Sequence, residues 1–208
     1  MQRSNGARIL PLLVILIVVV LLVAAIVAAG RAVFSGGNSA TETTEVTNRG
    51  RDALLKINME QSVSMTVRGP ITADETFTSY KITVSPDERD MGVYRGYGET
   101  RIRGKKLDNT TAAYEQFVYA LDKANMMNGT VPEDDAKNDL RGICAVGYVY
   151  EFSVMTNGDE VKTLWTSTCG GSPGSLDASK EQLSALFKAQ IPGSEDLAPF
   201  RTPINFRY

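Results

Sequence analysis

The 208-residue chain has no histidine, and its cysteines number two, Cys144 and Cys169. Without an imidazole there is no Ser/His or Cys/His nucleophile system, and the usual histidine-ligated metal sites are excluded. Two cysteines are too few for a structural zinc site unless carboxylates or a second chain contribute. No metal, no cofactor and no catalytic residue is therefore assigned. Acidic residues are missing before Glu42, and charge of either sign is missing from Ile9 to Gly30.

What remains is the composition of a folded protein, 43% hydrophobic and 22% charged. The formal net charge is −2. Setting aside Arg3, Arg8 and Arg31 at the apolar run leaves 19 basic against 24 acidic residues, a net of −5. Nucleic-acid affinity rests largely on neutralising phosphates, so nucleic acid is not an expected partner.

As a helix, the run from Ile9 to Gly30 extends about 33 Å, enough for a hydrocarbon core of about 30 Å. Arg3 and Arg8 precede it without an acid, which places residues 1–8 in the cytoplasm and the rest outside. A cleaved signal peptide is the competing reading, because Val27-Ala28-Ala29 suits cleavage, but the apolar stretch is much longer than such signals use. The expectation is a single-pass plasma-membrane anchor over residues 9–30, whose first partner is the lipid bilayer. Residues 31–51 turn to Gly, Asn, Ser, Thr and Glu and read as a tether. An extracytoplasmic domain follows over 52–192, then a tail over 193–208.

Within the domain, Asp52 to Met59 reads as a short helix, and Val63, Met65 and Val67 alternate as a strand. Tyr80, Ile82 and Val84 mark a second strand, and Met91, Val93 and Tyr97 a third. A helix begins near Asp108 or Asn109, with Tyr114, Phe117, Val118, Leu121 and Ala124 at core spacing. Another opens at Asp177 or Ser179 and carries Leu183, Leu186, Phe187 and Ile191 before Pro192. Between the helices, Tyr148 to Val154 and Val161 to Trp165 flank Asn157-Gly158, the signature of a hairpin with a two-residue turn. Opposing Thr156 to Asp159 pairs Val154 with Val161, Phe152 with Thr163 and Tyr150 with Trp165, giving one apolar, aromatic face for the second helix to cover. The fold expected is α+β: two hairpin-plus-helix units in tandem, one antiparallel sheet with helices on one face.

In an oxidising compartment Cys144 and Cys169, at the two ends of this hairpin, form a disulfide. In the simple register Cys169 faces Val146 and Cys144 faces Gly171, so the bond requires a bulge or a strand crossing near the hairpin base.

Three groups of residues suggest function. Arg95, Arg101, Arg103, Lys105 and Lys106, with only Glu99 among them, form a basic patch on a strand end and loop. Outside a cell it suits an envelope protein or an anionic surface polymer; the plainer reading is solubility. Phe200, Phe206 and Tyr208 lie in a proline-containing, extended tail that either packs back or is offered to a partner. The acidic pairs Asp87/Glu88, Asp134/Asp135 and Asp159/Glu160 fall in turns or loops, where solvated roles outweigh catalysis. Asn109 and Asn128 begin glycosylation sequons by pattern.

At Cys144, Tyr150, Leu164-Trp165, Thr168-Cys169-Gly170-Gly171, Leu186 to Pro192, Ala113-Tyr114, Phe117 and Ala120-Leu121-Asp122, the chain resembles a group of uncharacterised single-pass membrane proteins of candidate phyla radiation bacteria. The resemblance spans roughly residues 63–196 and implies an envelope protein, with no reaction to carry over. The sequence thus leads to a membrane-anchored extracytoplasmic binding or envelope-organising protein. The alternatives are a structural subunit of a surface or pilus-like assembly and a carboxylate-based hydrolase. Oligomeric state is left open.

Overall fold

The computed structural model describes residues 48–131 and 139–200. The apolar run at 9–30 lies outside them, as does the tether up to residue 47, and among the described residues no helix is long and apolar enough to cross a membrane.

Six antiparallel strands form one sheet: β1 (Gln61–Arg68), β2 (Thr78–Val84), β3 (Glu88–Arg95), β4 (Thr100–Asp108), β5 (Val149–Thr156) and β6 (Asp159–Ser167). Their order across the sheet is β4-β3-β2-β1-β5-β6, so β1 is central and pairs with both β2 and β5. The helices are α1 (Arg49–Leu55), α2 (Thr111–Lys123), α3 (Lys180–Ala189) and the single turn α4 (Ser194–Leu197). The chain is α+β, as the sequence implies. Helix α1 starts within the last residues expected for the tether, because the Asn48 side chain accepts a hydrogen bond from the Arg51 amide and caps it.

The two longer helices begin where side-chain oxygens replace missing backbone acceptors. Thr110 accepts from the Ala113 amide and Ser179 from the Gln182 amide. Each then buries the stripe its spacing defines. Tyr114, Phe117, Val118 and Leu121 of α2, with Leu183 and Phe187 of α3, join Leu54 of α1 against Val63, Met65, Tyr80, Ile82, Met91, Phe152 and Val154 of the sheet in one cluster. The Phe187 ring lies 5.2 Å edge-on from Phe117 and 6.1 Å from Phe152, so one side chain ties both long helices to β5. Fully burying a ring or branched side chain of this kind stabilises by about 1.5–3 kcal/mol.

Three expectations need correction. The β5–β6 turn is as anticipated, with Asn157 and Gly158 at φ of 54° and 84°, the left-handed pair a tight hairpin turn requires. Beyond it Val161 is a bulged extra residue, so Val154 pairs with Lys162, Phe152 with Leu164, and Tyr150 with Thr166. A shift of one residue exchanges faces: Leu164, fully buried, comes opposite Phe152, while Trp165 leaves Tyr150 and Phe152 and joins Val149 and Cys144 on the opposite face. Second, residues 100–108 form β4, a full strand where a loop was expected. The first unit therefore has three strands before its helix and the second has two. Third, β3 ends at Arg95, and Tyr97 lies in the following turn, half exposed and stacked on Phe77 at 4.2 Å.

Candidate functional site

The basic residues singled out from sequence lie on β4, except Arg95 at the end of β3. Among the described residues, strand β4 borders β3 on one side and no strand on its other side. Its residues are exposed almost throughout, with Leu107 the one hydrophobic packed against the core. Strand alternation divides the cations between the two faces. Arg103 and Lys105 pair with Val93 and Met91, whose side chains are buried under the helices. Lys105 there donates from Nζ to the Pro192 carbonyl at 2.7 Å. Arg101 and Lys106 take the open face, and each has a carboxylate: Arg101 grips Asp90 with two bonds of 2.9 and 2.8 Å, and Lys106 meets Glu88 at 2.5 Å. Among the described residues, Arg95 and Arg103 have no ion-pair partner. The patch is therefore an edge, with its free charge centred on Arg103.

The second half of the opposite edge, from Trp165 to Ser167, is closed. After β6 the chain doubles back, and Ser175 and Leu176 donate from their amides to the Trp165 carbonyl at 2.9 and 3.0 Å, while the Trp165 amide donates to Ser175 Oγ. Thr166 Oγ1 donates to the Pro173 carbonyl and Ser167 Oγ to that of Ser172. Nearer the hairpin turn, Lys162 donates from Nζ to the carbonyls of Met127 and Gly129, and burial pulls its pKa below the ordinary lysine value. The Cys144–Cys169 disulfide fixes the start of the returning segment, with Cα atoms 5.4 Å apart. The turns at 141–146, in which Cys144 takes φ 54°, bring its sulfur to Cys169; the bulge at Val161 lies beside the hairpin turn and not near the base, where the simple register required one.

The disulfide also presses the 139–147 segment onto the open face of the sheet, where Leu140 and Ile143 pack beside Val149 and Trp165. A groove of about 450 Å³ runs beside it, lined by Ile71, Phe77, Tyr97, Leu140, Ile143 and Val149, with Arg68 and Arg141 among its polar lining. Arg68 is held by Glu151 at 2.5 Å and Arg141 by Asp139 at 2.5 Å. The Arg141 guanidinium lowers Asp139 to about 2. Sequence reasoning missed this groove. Tyr97 reads from sequence as a strand residue, and Leu140 and Ile143 carry no periodic signal; their segment is tied down by the disulfide and by the Ile71 amide, which donates to the Ala145 carbonyl at 2.8 Å.

The other candidates disperse. Phe200 packs back, half-buried, 5.6 Å from the Tyr80 ring and 4.8 Å from that of Tyr148; Phe206 and Tyr208 lie outside the described residues. Asp87 accepts from Ser85 Oγ within its turn, Glu160 accepts from Thr163 Oγ1, and Asp134 and Asp135 lie outside the described residues. The sequon amides are engaged: Asn109 donates to the Ser85 carbonyl at 2.6 Å and Asn128 to Asp177. Among the described residues no group of three or more Cys, Asp or Glu side chains is placed to hold a metal ion. No protein-family model matches the chain, and no curated protein is detectably similar to it in sequence.

Proposed function

We propose that the chain is an envelope component: residues 9–30 anchor it in the plasma membrane, and its α+β domain stands outside the cell and binds an anionic envelope partner along β4. The observation that carries the binding reading is the open edge itself. It concentrates cations in a polypeptide whose residues after Arg31 sum to −5, so the charge is local and not a property of the whole surface. The Cys144–Cys169 bond supports the outside placement, because disulfides persist in oxidising compartments.

The two alternatives draw less support. Copies assembling through β4 would set like charges side by side, which is unfavourable between neighbouring strands. A carboxylate hydrolase needs an acid held protonated near neutrality. Asp139 shifts the other way, and so does Glu181, where burial is the largest single effect and pushes upward, but the hydrogen bond and charge of Lys180 together with the bonds from the Glu181 amide and Ser179 bring it down.

The test is crosslinking of the intact chain in its own membrane, with photoreactive groups at positions 100 and 102, both exposed on β4, and identification of the product by mass spectrometry. A distinct envelope molecule is expected, lost when Arg103 and Lys105 are both changed to Glu. Recovery of the chain crosslinked only to itself overturns the reading in favour of self-assembly, and a domain that added protease spares on whole cells overturns the outside placement.

A further inference from the structure

We infer that the partner is an acidic, extended polypeptide segment that adds to β4 as a further strand of the sheet; this rests on the proposal that β4 engages an anionic partner. Charge alone does not choose among anions. The edge offers a second resource, the row of alternate amide and carbonyl groups that β3 leaves unpaired. A lipid headgroup or a polyanionic polymer answers the cations and leaves this row to water. A polypeptide strand answers both, which is how strand addition obtains affinity from the backbone and selectivity from alternate side chains.

The register defines what such a segment looks like. The only irregularity of the β3–β4 ladder lies between Val93 and Tyr94, where Ile102 is the extra residue, so Arg103 to Asp108 run without interruption beside Val93 to Glu88. That is about 20 Å of straight edge. On its helix-covered side Arg103 donates to no other described residue, and Lys105 uses one of its three donors on the Pro192 carbonyl. On the other side the Arg101 guanidinium lies over Gly104, and Lys106 already has Glu88. A segment with acids at two alternate positions therefore sets one carboxylate against Arg103 and the next against Lys105, where cross-strand opposite charges attract. The same cations repel a second β4, so the edge is closed to its own kind and open to an acidic strand.

The experiment uses the full chain in nanodiscs of zwitterionic phosphatidylcholine. Its probes are a blocked peptide alternating Glu with Val and Thr, the matching Lys peptide, soluble polyglutamate and vesicles containing phosphatidylglycerol. Amide hydrogen exchange and binding titrations are read together. The acidic peptide is expected to slow alternate amides between Arg103 and Asp108 by about tenfold or more, leaving β1 and β2 unchanged. Changing Arg103 and Lys105 together to Glu is expected to weaken binding about tenfold or more, and unaltered exchange in β1 shows that the variant folds. Acidic peptide bound without protection of β4 amides overturns strand addition while leaving the anionic reading intact. Binding confined to the anionic vesicles assigns the edge to a membrane surface and likewise overturns the strand. Equal binding of the Lys peptide overturns charge selection, and no binding by any anionic probe overturns this inference together with the reading beneath it.

Discussion

The two edges of the sheet solve one problem in opposite ways. Any edge strand exposes backbone groups that invite another strand. Along the second half of β6 the chain satisfies them itself, turning back so that Ser175 and Leu176 occupy the Trp165 carbonyl and Ser175 Oγ takes its amide. At β4 no described residue is laid over the groups; Arg101, Arg103, Lys105 and Lys106 surround them with charge. A cover excludes every partner, whereas charge excludes by sign and leaves the ladder available to a strand of opposite sign. Stability should accordingly depend on the details of the β6 side and hardly at all on those of β4.

The strongest way to break the comparison is to release the cover. Changing both Cys144 and Cys169 to Ser frees the ends of a segment whose cysteines are 25 residues apart, and closing a loop of that size stabilises by about 3 kcal/mol. Urea unfolding of the variant should show a loss of that order, with the exchange of the Trp165 amide accelerating before that of β1. If stability falls while Trp165 stays as protected as β1, the disulfide staples the fold without closing the edge. A more local lever is Gly174. It sits at φ 88°, and a Cβ there would lie 2.1 Å from the Trp165 carbonyl oxygen, on the very group the cover satisfies. Gly174→Ala combines left-handed backbone strain with a backbone clash, and a loss of about 2 kcal/mol is expected by the same assay. An unchanged unfolding midpoint would mean the returning segment is not seated on β6.

How far the sequence disclosed these edges follows from what each has to bury. Helices α2 and α3 were legible nearly to their ends, the α2 cap Thr110 lying just past the expected Asp108 or Asn109 and the α3 cap being Ser179, one of the two starts expected with Asp177, because a helix docking on a sheet must repeat its apolar residues at helical spacing. The β5–β6 turn was legible because Asn157-Gly158 accommodates two left-handed residues. The register beyond it was not: a bulge leaves no mark of its own in the order of side chains, and Val161 looked like the next inward residue, which moved Trp165 to the wrong face. Strand β4 was missed for a different reason. An edge strand with one flank in solvent has little to hide, so Thr100-Arg101-Ile102-Arg103-Gly104-Lys105 lacks the alternation that identifies strands. Its cations were visible as a cluster, but the pleat that separates Arg101 and Lys106 from Arg103 and Lys105 appears only once the strand is known.

Lys162 sharpens the comparison by placing a cation on the covered edge in a structural role. Its Nζ serves the carbonyls of Met127 and Gly129 and Oδ1 of Asn48, which also caps α1. Lys162→Met leaves those acceptors short of a donor and should cost about 1 kcal/mol. The pH dependence follows from the lowered pKa. Between that value and the usual lysine value, the unfolded chain binds more protons than the folded one, so stability gains a small rise as pH increases through this window. The variant should lack that rise, measured as the difference between wild-type and variant unfolding free energies at successive alkaline pH values. A difference that stays flat with pH would mean the ammonium group is hydrated as fully in the fold as in the unfolded chain.

The smallest effect belongs to β4, and its smallness is the informative part. Arg101 meets Asp90 with two good hydrogen bonds, yet its side chain remains 44% exposed, and exposed ion pairs contribute about 0–1 kcal/mol because water and salt answer both charges. Arg101→Ala should therefore change unfolding by about 0.5 kcal/mol or less, and less still at high salt. The substitution also removes the donor to the Met91 carbonyl, a weaker contact of 3.3 Å that water can replace. Were the loss to approach that of Gly174→Ala, the cations of β4 would be holding the sheet together as the cover does on β6. Charge kept for stability would not then be charge kept for a partner, and the distinction between the two edges would disappear.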